Sequence, residues 1–114
     1  MYTFKKTQRL LKKADYNHVF EQAEKIVTSE FIMLFRENDL GYARLGLALS
    51  KKKITKAHDR NRIKRLLREG FRQMELPAVD LIFLARQGVV KHTNANINAR
   101  LDRTWKKLIS CYEK

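Results

Sequence analysis

The sequence predicts a single α/β domain with the element order αβββαβα. Runs of branched and aromatic residues, or alternating leucines, at 31–36, 43–50 and 79–85 read as strands. Apolar positions recur at helical spacing over 16–23, 63–74 and 97–112. The length, 114 residues, fits one domain, 1–114, with a basic N-terminal segment at 1–13. Hydrophobic residues make up 44% of the chain, which supports a packed core and excludes wholesale disorder.

In chain order, the first helix is expected to begin near Asp15, a residue type suited to an N-cap, and to carry Tyr16, Val19, Phe20 and Ala23 on one face. A short, weak strand follows at 26–28, and a second at 31–36. Asn38, Asp39, Leu40 and Gly41 form a turn. In the third strand, 43–50, Leu45, Leu47 and Leu49 fall on one face. Gly46, Ala48 and Ser50 fall on the other. That second face has little bulk, so either a helix packs closely on it or something large lies across it. The second helix covers 57–74 and stops before Pro77. The fourth strand, 79–85, is closed by Arg86, Gln87 and Gly88. The last helix starts at Thr93 or Asn94 and sets Ile97, Leu101, Trp105, Leu108, Ile109 and Tyr112 on one continuous stripe, as a core face does.

The charge is lopsided. The chain has 25 Lys and Arg against 12 Asp and Glu, a net charge of +13. Residues 1–13 hold five cations and no acid, and residues 51–72 hold ten cations and two acids. Such crowding calls for a polyanion, and phosphates supply one with release of counterions. The longest unbroken apolar runs are five residues, 31–35 and 81–85, against about 20 for a membrane span. No apolar signal segment opens the chain. A single cysteine, Cys111, excludes an internal disulfide. The expectation is a soluble cytoplasmic protein without a membrane or disulfide-linked partner.

The second helix carries the densest chemistry. At about 100° per residue, Ile63, Leu66, Leu67, Gly70, Phe71 and Met74 share one side. Asn61, Arg65, Arg68 and Arg72 share the opposite side, with Lys64 and Arg62 on its flanks. Arg60 points nearer the apolar side, toward Asp59 or a helix end. Arginine forks bind phosphate oxygens bidentately. Salt bridges along the helix are a weak alternative, because Glu69 is the only carboxylate after Asp59. Binding to a membrane surface is disfavoured because the apolar stripe is needed to cover strands. Tyr16 and Phe20, four apart, either line a groove for stacking bases or are ordinary core.

The residues show no catalyst of their own. His18, His58 and His92 lack the spacing of a zinc site, no paired carboxylates suit two metals, and no glycine-rich phosphate loop occurs. His58 beside Asp59 suggests proton transfer no more strongly than a helix-start charge.

Arg44-Leu-Gly-Leu-Ala-Leu-Ser-Lys-Lys, followed by Ala57-His-Asp-Arg-Asn-Arg-Ile-Lys-Arg-Leu-Leu-Arg-Glu-Gly-Phe-Arg72, closely resembles the signature of the bacterial ribonuclease P protein component. The resemblance extends to Arg9-Leu10, Asp15-Tyr16, Val19-Phe20 and Asp80-Leu-Ile-Phe-Leu-Ala-Arg86. It implies a two-layer α-β sandwich with a four-stranded mixed sheet, three helices and a left-handed crossover through the basic helix, against the usual hand. It also implies the RNA-binding subunit of an endoribonuclease that removes the 5′ leader from precursor tRNA. The catalytic groups would lie with the RNA subunit, and the magnesium ions would be bound mainly by the RNA subunit and substrate, with none held by the protein alone that the sequence shows. Carried over to this sequence, Arg9, Arg60, Asn61, Arg62, Lys64, Arg65, Arg68 and Arg72 become contacts to the RNA subunit. Tyr16, Phe20, Lys51, Lys52 and Arg86 become a leader-binding cleft. Relatives often have phenylalanine where Tyr16 stands, and some place an aromatic in the cleft where this chain has Leu34 or a neighbour. Two rivals remain: a structural RNA-binding protein of ribosomal type, and a protein-only nuclease working through His58 or Asp59.

Overall fold

The computed structural model describes residues 8–112. Lys5 and Lys6 of the basic N-terminal segment lie outside them. The elements run α1 (Lys13–Glu21), β1 (Glu24–Val27), β2 (Phe31–Glu37), β3 (Arg44–Ala48), α2 (Ala57–Arg72), β4 (Val79–Ala85), a single 3₁₀ turn (Val89–Lys91) and α3 (Asn94–Cys111). The expected order holds. The strands form one open mixed sheet in the order β1-β2-β4-β3, with β1–β2 and β2–β4 antiparallel and β3–β4 parallel. The parallel pair is joined through α2, as a parallel connection requires.

Two faces of the sheet are covered by different helices. Alternation puts Ile26, Met33, Phe35, Leu45, Leu81 and Phe83 on the face that meets α2 and α3. From α2 this core receives Ile63, Leu66, Leu67 and Phe71, and from α3 Ile97, Leu101, Trp105 and Leu108. Trp105 meets Phe83 and Phe71 edge-on, with ring centres 5.3 Å and 6.4 Å apart. The aromatic stripe of α3 is therefore core, and Tyr112 ends it against Phe35. Gly70 of α2 lets the indole close in: a Cβ there would stand 3.0 Å from Trp105 Nε1.

The opposite face carries α1. Here the register sets three rows across the sheet: Arg36–Asp80–Arg44, Leu34–Ile82–Gly46, and Ile32–Leu84–Ala48. Val19 and Leu10 seal the middle row against Ile82 in a second, smaller core. Arg36 fastens the helix from below by donating to the His18 carbonyl at 2.7 Å.

Some boundaries move from expectation. Helix α1 begins at Lys13, with Lys12 at the cap position and no side chain capping it. Asp15 sits in the first turn, where a negative charge suits the helix dipole, and its carboxylate is 3.7 Å from Arg44. Strand β1 starts two residues earlier than the apolar pattern implies, because Glu24 pairs opposite Phe35 at the sheet edge. Strand β3 is shorter, ending at Ala48, and its outer side receives the preceding segment. Leu10 N–H donates to the Leu45 carbonyl at 2.9 Å, and the Tyr16 hydroxyl accepts from Leu47 N–H at 3.1 Å.

Candidate nucleic-acid interface

The cationic side of α2 is built as its spacing implies. Asn61, Arg65, Arg68 and Arg72 are exposed, while Ile63 and Leu67 on the far side are fully buried. Among the described residues, Arg65, Arg68 and Arg72 form no ion pair, so their guanidinium groups face solvent without a carboxylate to neutralise them. Lys64 and Arg68 also reach a cavity of about 190 Å³ between α2, β3 and the segment before α1. Arg9 and Tyr16 line it from the other side. Sequence-distant cations and the tyrosine are thus gathered in one concavity.

Two arginines expected on this surface turn inward. Arg60 donates to the carbonyls of Ile54 and Thr55, at 2.8 Å and 3.1 Å, and ties down the turn before α2. Arg62 spends both terminal nitrogens on the segment leading into α3. One contacts Asn94 Oδ1 at 2.5 Å and the His92 carbonyl at 3.4 Å, and the other the Val90 and His92 carbonyls at 3.0 Å and 3.3 Å. A helical wheel places Arg62 on a flank but carries no information about carbonyls some thirty residues away in the chain.

Beside α1 part of the sheet face is left uncovered, the expected site of the cleft. Tyr16 fills the space over Gly46: a Cβ on that glycine would stand 2.9 Å from the tyrosine Cζ and hydroxyl oxygen. The small-residue face of β3 is therefore covered at Gly46 by a side chain from the helix, while Ala48 stays half-buried. Phe20, one turn on, is 48% exposed, with its ring centre 6.5 Å from that of Tyr16 and tilted 32°. Tyr16 is therefore half core and half wall, whereas Phe20 is mostly wall. The floor beyond them is the half-buried row Ile32–Leu84–Ala48, continued at the edge by Val27, which is 51% exposed. It is aliphatic and offers van der Waals contact where an aromatic would stack.

Arg86 follows Leu84 by two residues and so continues the same face just beyond this row. Its backbone N–H donates to the Glu30 carbonyl at 2.9 Å and its guanidinium to the Thr28 carbonyl at 3.0 Å. Lys51 and Lys52 are exposed in the turn after β3. This face thus has an aromatic on one wall, an apolar floor and Arg86 just beyond it.

Two polar centres escape the sequence. Asp80 is 2% exposed, and Arg44 grips it bidentately at 2.8 Å and 2.7 Å while Asn38 donates at 2.8 Å. The hydrogen bond to Asp80 raises the pKa of the Arg44 guanidinium despite the opposing effect of burial. Glu30, also 2% exposed, forms an ion pair with Arg100 at 2.8 Å, has His92 Nε2 at 3.4 Å and accepts from the Ser29 hydroxyl. Burial pushes its pKa up, but the Ser29 hydrogen bond and the charges of Arg100 and His92 outweigh that, and the carboxyl is held below its ordinary value. Neither centre lies among the exposed cations. His58, 77% exposed at its side chain, sits 3.3 Å from Asp59 in open solvent. Among the described residues, no three His, Cys, Asp or Glu side chains are placed to share a metal ion, and no helix is long and apolar enough to cross a membrane.

Residues 4–109 match the family model described as Ribonuclease P. The chain is 69% identical to the "Ribonuclease P protein component" of Legionella pneumophila strain Corby, over all of both chains. It is 43% identical to that of Pasteurella multocida, over 97% of this chain and 95% of the relative. Among solved structures, the fold is similar to the RNase P protein of Staphylococcus aureus, with a TM-score of 0.82 at 30% identity over 90% of this chain and 97% of the other. It is also similar to that of Thermotoga maritima, with a TM-score of 0.77 at 26% identity over 87% and 96%.

Proposed function

Since this chain belongs to the ribonuclease P protein component family, we propose that it is the RNA-binding subunit that holds both the RNA subunit and the 5′ leader of precursor tRNA while the RNA breaks the phosphodiester bond. The observation that carries this is the adjacency of two unlike surfaces. The α2 row of Arg65, Arg68 and Arg72 presents uncompensated charge suited to phosphates of a folded RNA. The cleft beside it pairs a half-exposed Phe20 with an apolar floor and cations at one end, as an extended single strand requires. Tyr16 borders both, lining the α2 cavity and the cleft wall.

The division of labour follows from the side chains. Arginines bind and orient phosphates, and aromatic and aliphatic groups accept bases or riboses. In this reading, magnesium stays with the RNA subunit and substrate. A ribosomal-type role shares the charge but gives Phe20 no reason to stand half-exposed.

Reconstitution with the RNA subunit from the same source tests the proposal. At low magnesium, adding the protein is expected to raise cleavage of precursor tRNA, and the purified protein alone is expected to leave it intact. Cleavage without RNA points to a protein-only nuclease, whereas RNA binding with no gain in cleavage points to the ribosomal-type role.

A further inference from the structure

We infer that Arg62 acts as a positioning residue: it clamps the segment between β4 and α3 and thereby sets Arg86 at the mouth of the cleft. The inference rests on the cleft reading above for its functional half, while its structural half stands by itself.

The segment 86–93 needs an external clamp. It has one short 3₁₀ turn, held by Lys91 N–H to the Gly88 carbonyl at 3.1 Å and His92 N–H to the Val89 carbonyl at 3.2 Å. Val89 buries its side chain in the core and Val90 packs against it half-buried. The remaining anchors come from elsewhere in the chain. On one side, Arg62 of α2 donates to the Val90 and His92 carbonyls and to Asn94 Oδ1. On the other, the Glu30 carboxylate meets the His92 ring, and the Glu30 carbonyl accepts from Arg86 N–H. Arg86 then reaches the Thr28 carbonyl. A continuous run of contacts joins the RNA-facing helix to the cleft cation: Arg62, His92, Glu30, Arg86.

Geometry separates this role from a phosphate contact. Both terminal nitrogens of Arg62 already have protein acceptors, and binding a phosphate bidentately would break that set. A lysine could replace the charge but not the fork that spans two carbonyls and an amide oxygen. The coupling is a physical chain of hydrogen bonds, so it is testable at either end.

The test uses the full-length chain, Arg62→Lys, Arg62→Gln and Asn94→Ala, with Arg65→Ala and Arg86→Ala for comparison. Hydrogen exchange on the free protein reads the clamp directly. The amides of Lys91 and His92 are expected to exchange about fivefold faster in both Arg62 variants and less so in Asn94→Ala. In holoenzyme reconstituted with the RNA subunit, the preference for precursor over mature tRNA is expected to fall about 2- to 30-fold in Arg62→Lys. The salt dependence of RNA-subunit binding is expected to hold in Arg62→Gln, whereas Arg65→Ala lowers its slope by about 0.7–0.9. Normal exchange and normal preference in Arg62→Lys, with a lowered slope in Arg62→Gln, overturns the inference and makes Arg62 a phosphate contact. If Arg86→Ala leaves the preference intact, the cleft reading fails, and exchange still decides the clamp. Should both Arg62 variants fail to fold, Asn94→Ala, which removes one surface acceptor, carries the test.

Discussion

Tyr16 lies across Gly46, and the fit leaves no room for a methyl group. A Cβ on Gly46 would meet the tyrosine ring at 2.9 Å and Leu10 Cδ1 at 3.0 Å. Gly46→Ala is expected to cost about 1–3 kcal/mol by overpacking and to push Tyr16 outward. Tyr16→Phe keeps the ring but orphans the Leu47 N–H, at a cost of about 0.5–1.5 kcal/mol. Urea denaturation of the two variants measures both effects, and an unchanged midpoint in Gly46→Ala contradicts the packing described.

Arg44 and Asp80 form a second tight relationship on the same face. Removing the cation leaves a carboxylate that is 2% exposed with only Asn38 as a side-chain donor. Arg44→Ala is expected to destabilise the fold by about 3–5 kcal/mol, far more than a surface ion pair. Thermal unfolding checks this, and a loss below about 1 kcal/mol would assign the pair to the surface class.

Phe20→Ala separates wall from core. With 48% of the residue exposed, the stability loss is expected to stay near 0.5 kcal/mol. If a base stacks there, precursor tRNA binding weakens by about 1–3 kcal/mol while mature tRNA binding holds. Equal losses for the two substrates return Phe20 to a packing role.

Arg65→Ala and Arg68→Ala act on charge alone. Each is expected to weaken RNA-subunit binding and lower the slope of log affinity against log salt by about 0.7–0.9 for every phosphate the variant leaves unneutralised. Titrations at several salt concentrations read the slope, and parallel lines for wild type and variant contradict the phosphate role.

Glu30 gives the protein an acid limit. Its carboxyl is held below the ordinary 4.5, so its folded form favours the charged state. That stabilisation is fully present above about 4.5 and disappears as pH falls through the lowered folded value. Glu30→Gln is expected to lose about 1–3 kcal/mol at neutral pH. The gap to wild type then narrows as the pH drops below 4.5. A gap that is constant from neutral to acid pH means that the carboxylate charge is not what matters.

The elements whose partners are close in sequence are legible from the residues alone. The α2 stripe follows from a period of 3.6, and Ile63 and Leu67 are buried as that period requires. The all-apolar stretch 81–85 belongs to β4, one of the two strands, with β2, that are flanked on both sides in the sheet. What escapes depends on contacts that only the topology creates. Asp80 reads as an ordinary polar residue until the parallel register sets it beside Arg44. Arg62 reads as one more cation until α3 brings Asn94 to it. Tyr16 and Phe20 share a helix face, yet the sheet's edge lies under one and not the other, so period alone leaves their roles open.

The outer side of β3 is plugged by the chain itself. An open strand edge is a template on which a second copy can add, and here the peptide around Leu10 and the Tyr16 phenol occupy two of its hydrogen-bonding groups. The fold therefore carries its own stopper against growth into aggregates. Clipping the chain ahead of α1 would bare the Leu45 carbonyl, while the Tyr16 phenol would still hold Leu47 N–H and keep that side half-blocked.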